Sequence, residues 1–197
     1  MNTLICIDFI NDIIHPDGTL AKKRGYATFA HAHGVLDRVA VAQAAFRARQ
    51  CPVVHVRVGF SRGYRDWPAD SPLFGKAKDL GVLELGTWGT EFIDRVKPLD
   101  DEPSIAKPRV SAFYGTRLAS LLASLSATRV YIAGVSTDLA VEAAARDAHD
   151  RDLHVTVLGD CCAAGTESDH AAALHVLGKI ARVATSDDIE QWLTNGG

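Results

Sequence analysis

The sequence predicts an α/β domain whose parallel sheet is covered by helices on both faces. Its short apolar runs are continuous rather than alternating, the pattern of strands buried on both sides. Longer stretches of helical period separate those runs, as in a chain built from βαβ units. A chain of 197 residues folded as one unit buries about 70 % of its unfolded surface and needs no covalent staple. The expectation is one domain spanning residues 1–197.

Residues 4–7 form the first strand and end at Asp8. Residues 35–49 are alanine-rich and amphipathic and read as a helix. Residues 52–58 form a strand entered through Pro52, a position that tolerates proline. Residues 59 to about 103 are irregular and hold Trp67 and Trp88, two of the three tryptophans. Long loops in compact domains tend to be lids or binding loops. Residues 104–107 follow as a short strand. Thr116 caps a helix over 117–125, residues 129–133 form a strand, 138–150 a helix and 153–158 a strand. A helix over 167–177 is stopped by Gly178. A last short strand covers 181–184, and Ser186 caps a final helix over 187–193.

The formal net charge is −3, with Lys and Arg scattered, which lacks the electrostatic footprint of a nucleic-acid binder. No apolar run approaches the roughly 20 residues of a membrane helix. The chain starts without a charged leader or a small-residue cleavage site, so a soluble cytoplasmic protein is expected. The four cysteines are Cys6, Cys51, Cys161 and Cys162. They lack zinc-site spacing, and a bond between the adjacent pair would be strained.

Ligands of such sheets bind beyond the carboxyl ends of the strands. Asp8, Asn11 and Asp12 follow the first strand, Gly59 to Ser61 the second, and Lys107 and Arg109 the third. Gly134 to Asp138 follow the fourth strand and Asp160 to Cys162 the fifth. Taken singly, Asp8 reads as a turn cap and Lys107 as a solvated charge. Taken together, they also fit a charge pair tuned for proton transfer, and both readings stand. Gly59-Phe60-Ser61-Arg62-Gly63 fits the G-x-S-x-G nucleophile elbow, but Pro68 and Pro72 occupy the place of its required helix. The glycine-rich phosphate loops are absent, so nucleotide binding has no support.

Three segments carry a family resemblance. Ile7-Asp8-Phe9-Ile10-Asn11-Asp12 resembles the D-x-[Q/I]-N-D opening of the isochorismatase-like (cysteine) hydrolases. Lys107-Pro108-Arg109-Val110-Ser111-Ala112-Phe113 resembles their K-x-R-x-S-A-F segment. Residues 134–148 resemble their G-V-x-T-[D/N]-x-C-V-E-x-T-A-R-D-A signature. The resemblance implies a three-layer α/β/α sandwich with a mostly parallel, six-stranded, Rossmann-like sheet. It implies Asp8 as the proton-transfer group and Lys107 as the stabiliser of negative charge. It also implies a non-proline cis bond before Ser136, with backbone N–H groups near Ser136 and Ala140 aimed at an oxyanion.

The chain departs from that pattern at the nucleophile position, where Ala140 stands in place of cysteine. An engineered Cys→Ala trap of an amidohydrolase, a natural cysteine-less branch, and a catalytically dead binding homologue each account for it. Ala144 also replaces the threonine usual in the signature. Residues 53–64 look like the V-R-V-G-[FW]-S-x-x-Y stretch of cysteine-less bacterial relatives. Both details favour a natural hydrolase without the thiol. The isochorismatases proper cleave a vinyl ether by protonating its carbon and capturing the cation with water, so that chemistry needs no thiolate. Cys161 and Cys162 read as core filler.

The metal cluster of the related nicotinamidases has no counterpart, as His55 stands alone within its strand, so no metal and no cofactor are expected. The expected substrate is a small carboxylated or amide-bearing molecule, contacted by Asn11, Arg57, Trp88, Phe113 and Tyr114. Members of the resembled family are commonly dimers or tetramers, so a homodimer or homotetramer is expected, with no nucleic-acid or membrane partner.

Overall fold

The computed structural model describes residues 1–189 and Trp192. In chain order the elements are β1 (Asn2–Ile7), α1 (Asn11–Ile14), α2 (Thr19–Arg24), α3 (Tyr26–Ala32), α4 (Val35–Ala48), β2 (Val53–Val58) and α5 (Ala77–Leu80). They continue with β3 (Ser104–Lys107), α6 (Leu118–Ser124), β4 (Arg129–Val135), α7 (Glu142–His149), β5 (His154–Ala163), α8 (Glu167–Leu177) and β6 (Arg182–Ala184). The six strands form one sheet in the order β3-β2-β1-β4-β5-β6, and every neighbouring pair is parallel.

Successive side chains of a strand point to opposite faces, and β1 shows how this makes three layers. Leu4 and Cys6 join the cluster that packs against α3 and α4 through Phe29, Val39 and Phe46. Ile5 and Ile7 join the other cluster, packed against α6, α7 and α8 through Leu118, Ala145 and Leu177. The strand order reverses between β1 and β4, which opens a crevice at their carboxyl ends.

Several boundaries differ from expectation. β4 runs on through Gly134 and Val135, and β5 runs to Ala163, so Asp160, Cys161 and Cys162 lie inside a strand rather than after one. A register shift between Ile132 and Gly134 accommodates the extra β5 residues. The helix expected from 138 opens instead with a wide π turn over Thr137–Val141 before α7. Gly178 ends α8 in the right-handed helical region rather than the left-handed one. At the last turn Thr185, not Ser186, forms the capping box with Asp188, because Ser186 is buried and its N–H and hydroxyl donate to Asp160. The rest of the helix expected over 187–193 lies largely outside the described residues. Helices α1 to α3 were not anticipated. They are short, and Gly18, Gly25 and Gly34 cut the segment before a helical period develops.

Candidate active site

Asp8 stands at the end of β1 with φ +61°, and its own N–H is held by the Val56 carbonyl at 2.8 Å. The left-handed region is tolerated by aspartate better than by most residues. The turn aims the carboxylate across β2, whose Val58 N–H donates to Oδ1 at 2.6 Å. Val58 pairs with Lys107 in the β2–β3 register, so the lysine reaches over the same strand from the far side. Its Nζ lies 2.8 Å from Asp8 Oδ2 and donates to Val110 O at 2.9 Å and Arg109 O at 3.3 Å. Three donors thus meet three acceptors. Asp8 and Lys107 are 2 % and 1 % exposed, so this is a buried pair and not a surface one. Burial raises the Asp8 carboxyl above its usual range, outweighing the Lys107 charge and hydrogen bond and the Val58 N–H, which pull it down.

On the other side of β1, Gly134 lets the π turn approach. A Cβ there would meet Ile7 Cβ and O at 2.9 Å and Val141 Cγ2 at 3.1 Å. The Val135–Ser136 peptide is cis, as the resemblance implied. Ser136 is buried, and its hydroxyl has no hydrogen-bond partner among the described residues. Asp8, Lys107, Ser136 and Ala140 all line one cavity of about 680 Å³. The structure therefore brings together four of the residues expected from sequence.

It does not bring Asn11, Arg57, Trp88, Phe113 or Tyr114 to that cavity. The Asn11 carboxamide donates to Trp88 O at 2.9 Å. Arg57 donates to Thr90 O at 3.1 Å and lies 5.0 Å over the Phe92 ring, while Val58, next along the pleat, lines the cavity instead. Trp88 is half exposed and meets His15 edge-on. Phe113 is a core residue under the Arg151 guanidinium, and the Tyr114 side chain is exposed.

The cavity's outer wall was foreseen only in part, as the long irregular segment read as a lid or binding loop, with none of its residues named. Residues 69–83 supply much of it, with Phe74 and Leu83 among them, and Lys23, Arg24 and Tyr26 come from α2 and α3. Lys23, Arg24 and Lys76 are exposed, and their side chains have no ion-pair or hydrogen-bond partner among the described residues. The long irregular segment and the basic run Lys22-Lys23-Arg24 were the available signals. Ser61, the candidate elbow serine, instead donates to Asp66 at 2.8 Å and lies outside the cavity. His55 is buried against Glu102 at 3.0 Å. Among the described residues, no group of three or more His, Cys, Asp or Glu is placed to hold a metal. No helix among them is long and apolar enough to cross a membrane.

The cysteines supply no replacement nucleophile in the cavity. All four are free, and none lines it. Burial pushes the Cys6 and Cys162 thiols up to about 12 and Cys161 well above its usual value.

Comparison with known proteins settles the family, since the isochorismatase domain matches residues 2–188. The chain belongs to the isochorismatase family. Among its relatives, the ureidoacrylate amidohydrolase RutB of Methylobacterium radiotolerans is 32 % identical over 184 residues, covering 87 % of this chain and 70 % of the relative. The uncharacterized isochorismatase family protein YecD of Escherichia coli O157:H7 is 31 % identical over 159 residues, 79 % of this chain and 81 % of that one. The structure of N-carbamoylsarcosine amidase from Thermoplasma acidophilum superposes with a TM-score of 0.74 at 27 % identity, covering 96 % of this chain and 98 % of that one. The isochorismatase-family fold thus comes with hydrolases as relatives.

Proposed function

We propose that this isochorismatase-family chain is a hydrolase that works through Asp8, Lys107 and water, with Ala140 where the thiol nucleophile would stand. The observation that carries this reading is the buried 2.8 Å Asp8–Lys107 pair in a cavity that also holds the Ala140 methyl. A methyl group forms no thioester, so the acyl-enzyme route is closed. A carboxyl raised by burial holds a proton at higher pH than an ordinary one and can deliver it.

The chemistry that matches is hydrolysis of a vinyl ether. Asp8 gives its proton to the enol-ether carbon and water adds to the resulting oxocarbenium carbon. The attacking water's proton returns to Asp8, and the hemiketal collapses to ketone and alcohol. Lys107 holds the Asp8 carboxylate while it is charged, and as the hemiketal collapses peptide N–H groups near Ser136 and Ala140 would meet the negative charge that develops on the departing oxygen. Lys23, Arg24 and Lys76 on the outer wall favour a carboxylated substrate, replacing Arg57 in that role. The amide-cleaving relatives favour a second reading, a C–N hydrolase whose nucleophile has been vacated.

The two readings part on one comparison. The chain and its Ala140→Cys variant are assayed on isochorismate, ureides and small amides, following pyruvate and ammonia, with Asp8→Asn as control. The proposal expects turnover by the chain as it stands and little gain from cysteine. It expects a loss of about 10²- to 10⁴-fold in Asp8→Asn. Turnover of an amide by the Ala140→Cys variant alone would establish the vacated nucleophile instead.

A further inference from the structure

We propose that His170 is a positioning residue that holds the Ser136–Ala140 turn against the cavity and ties it to the opposite wall. The proposal rests on the site reading above.

Thr137 follows Ser136 directly, is fully buried, and begins the π turn that carries Ala140. Its hydroxyl lies 2.9 Å from His170 Nδ1, its one hydrogen-bond partner among the described residues. Without that imidazole a buried hydroxyl in the turn would be orphaned, which is unfavourable in a dry interior. His170 lies in the second turn of α8, a helix anchored by Thr166, whose hydroxyl accepts from the Asp169 N–H. Burial lowers the His170 basicity, with Glu167 opposing and His33 reinforcing, which favours the neutral ring. A neutral ring can accept the Thr137 proton at Nδ1 or donate its own to Oγ1, and the link holds either way.

The same ring packs against the far wall. Its centroid is 5.0 Å from that of Phe29 in α3, one helical turn from Tyr26, which lines the cavity. Phe29 in turn lies 4.3 Å from His33, whose Nε2 meets Glu167 of α8. The elbow between α2 and α3 is seated nearby, where Gly25 at φ +78° approaches the Gly165 carbonyl so closely that a Cβ would sit 2.7 Å from it. His170 therefore touches both the turn at the reacting position and the helix behind the outer wall.

The test reads the turn without needing the substrate. In an Ala140→Cys background, the ammonium of Lys107, which lines the same cavity, favours the thiolate of the introduced cysteine. The rate at which iodoacetamide alkylates that thiol, resolved from Cys51 by peptide mass spectrometry, then reports how the turn is held. His170→Leu and Thr137→Val are each expected to slow it about tenfold, and the double variant no further, because both remove one interaction. His170→Asn, which can accept or donate where Nδ1 did, is expected to stay within about twofold of the Ala140→Cys parent. An unchanged rate in His170→Leu, or a rate in His170→Asn as slow as in His170→Leu, overturns the proposal. If near-ultraviolet circular dichroism shows that His170→Leu does not fold, Thr137→Val decides by the same criterion. A parent whose introduced thiol reacts no faster than free cysteine shows that the turn does not present position 140 for reaction and overturns the positioning role, while the water route through Asp8 stands or falls on the turnover comparison above. A fast parent indifferent to Thr137 and His170 overturns the positioning role alone.

Discussion

At the scale of single residues, the proposed chemistry depends on keeping one carboxyl out of water. Asp8 is buried with a lysine, yet desolvation outweighs that partner and raises its proton affinity. An acid with a raised pKa is fully protonated well below that value and loses its proton as the pH rises through it. If the protonated form is the catalyst, kcat/KM is level on the acid side and falls about tenfold per pH unit on the alkaline side. A pH profile of the chain on its best substrate checks the sign. A limb that instead rises with pH would mean that the carboxylate acts as a base, the role it takes beside a thiol. Lys107 cannot be exchanged freely either, since its three donors are all engaged, two of them by the carbonyls of Arg109 and Val110.

At the scale of elements, the site is made by strand ends and by one close approach. β4 must come near enough to β1 for the turn after it to face Asp8, and only a residue without a side chain fits at position 134. Gly134→Ala would press its methyl onto the Ile7 Cβ and carbonyl oxygen, both 2.9 Å away and both held in β1. Such overpacking in a close-packed core destabilises by about 1–3 kcal/mol. Urea denaturation is expected to show a midpoint lowered accordingly, with the slope unchanged. In the segment that leads into β3, Glu102 is drawn down to about 2. Burial alone would raise it, but the bonds from Arg47 and His55 and the Leu99 N–H prevail. That cluster fixes the approach to β3, and so the base from which Lys107 projects.

At the scale of the whole molecule, charge is distributed unevenly. The chain carries a net charge of −3, yet its candidate catalytic cavity is rimmed by Lys23, Arg24 and Lys76 with one acid, Asp70. The Asp8–Lys107 pair is buried at the strand ends, so the exposed rim supplies the charge that an entering ligand meets first. A carboxylated substrate should therefore show a KM that rises with ionic strength, most steeply between about 0.01 and 0.15 M, where the screening length shortens from about 30 to 8 Å. In the double variant Lys23→Ala, Lys76→Ala that salt dependence should flatten while kcat stays near the parent value. A KM for the parent indifferent to salt would mean that the rim cations do not meet the substrate's charge.

The strands, an acid and a lysine at strand ends and the alanine at position 140 were legible along the chain, because each is carried by its own short segment, whereas the meeting of Asp8 with Lys107 stayed open until β1 and β3 were placed on either side of β2. A continuous apolar run makes a buried strand wherever it occurs, and a residue at a strand's carboxyl end faces the crevice once the sheet is parallel. Arg57 misled because one step along a pleat changes the face on which a side chain emerges. Lys23, Arg24 and Tyr26 were illegible for a different reason, and of the wall over residues 69–83 only its place in a long loop could be read. They belong to short helices and loops with no period, and their place depends on long-range contacts such as Gly25 against Gly165. His170 joins Thr137 across 33 residues of chain. The sequence by itself determined a parallel α/β sheet, an acid and a lysine at its strand ends, and an alanine at position 140 where the resembled signature has cysteine. The tertiary structure alone decided what surrounds them, because the shape and charge of a cavity arise where distant segments are pressed together by the packing of the core.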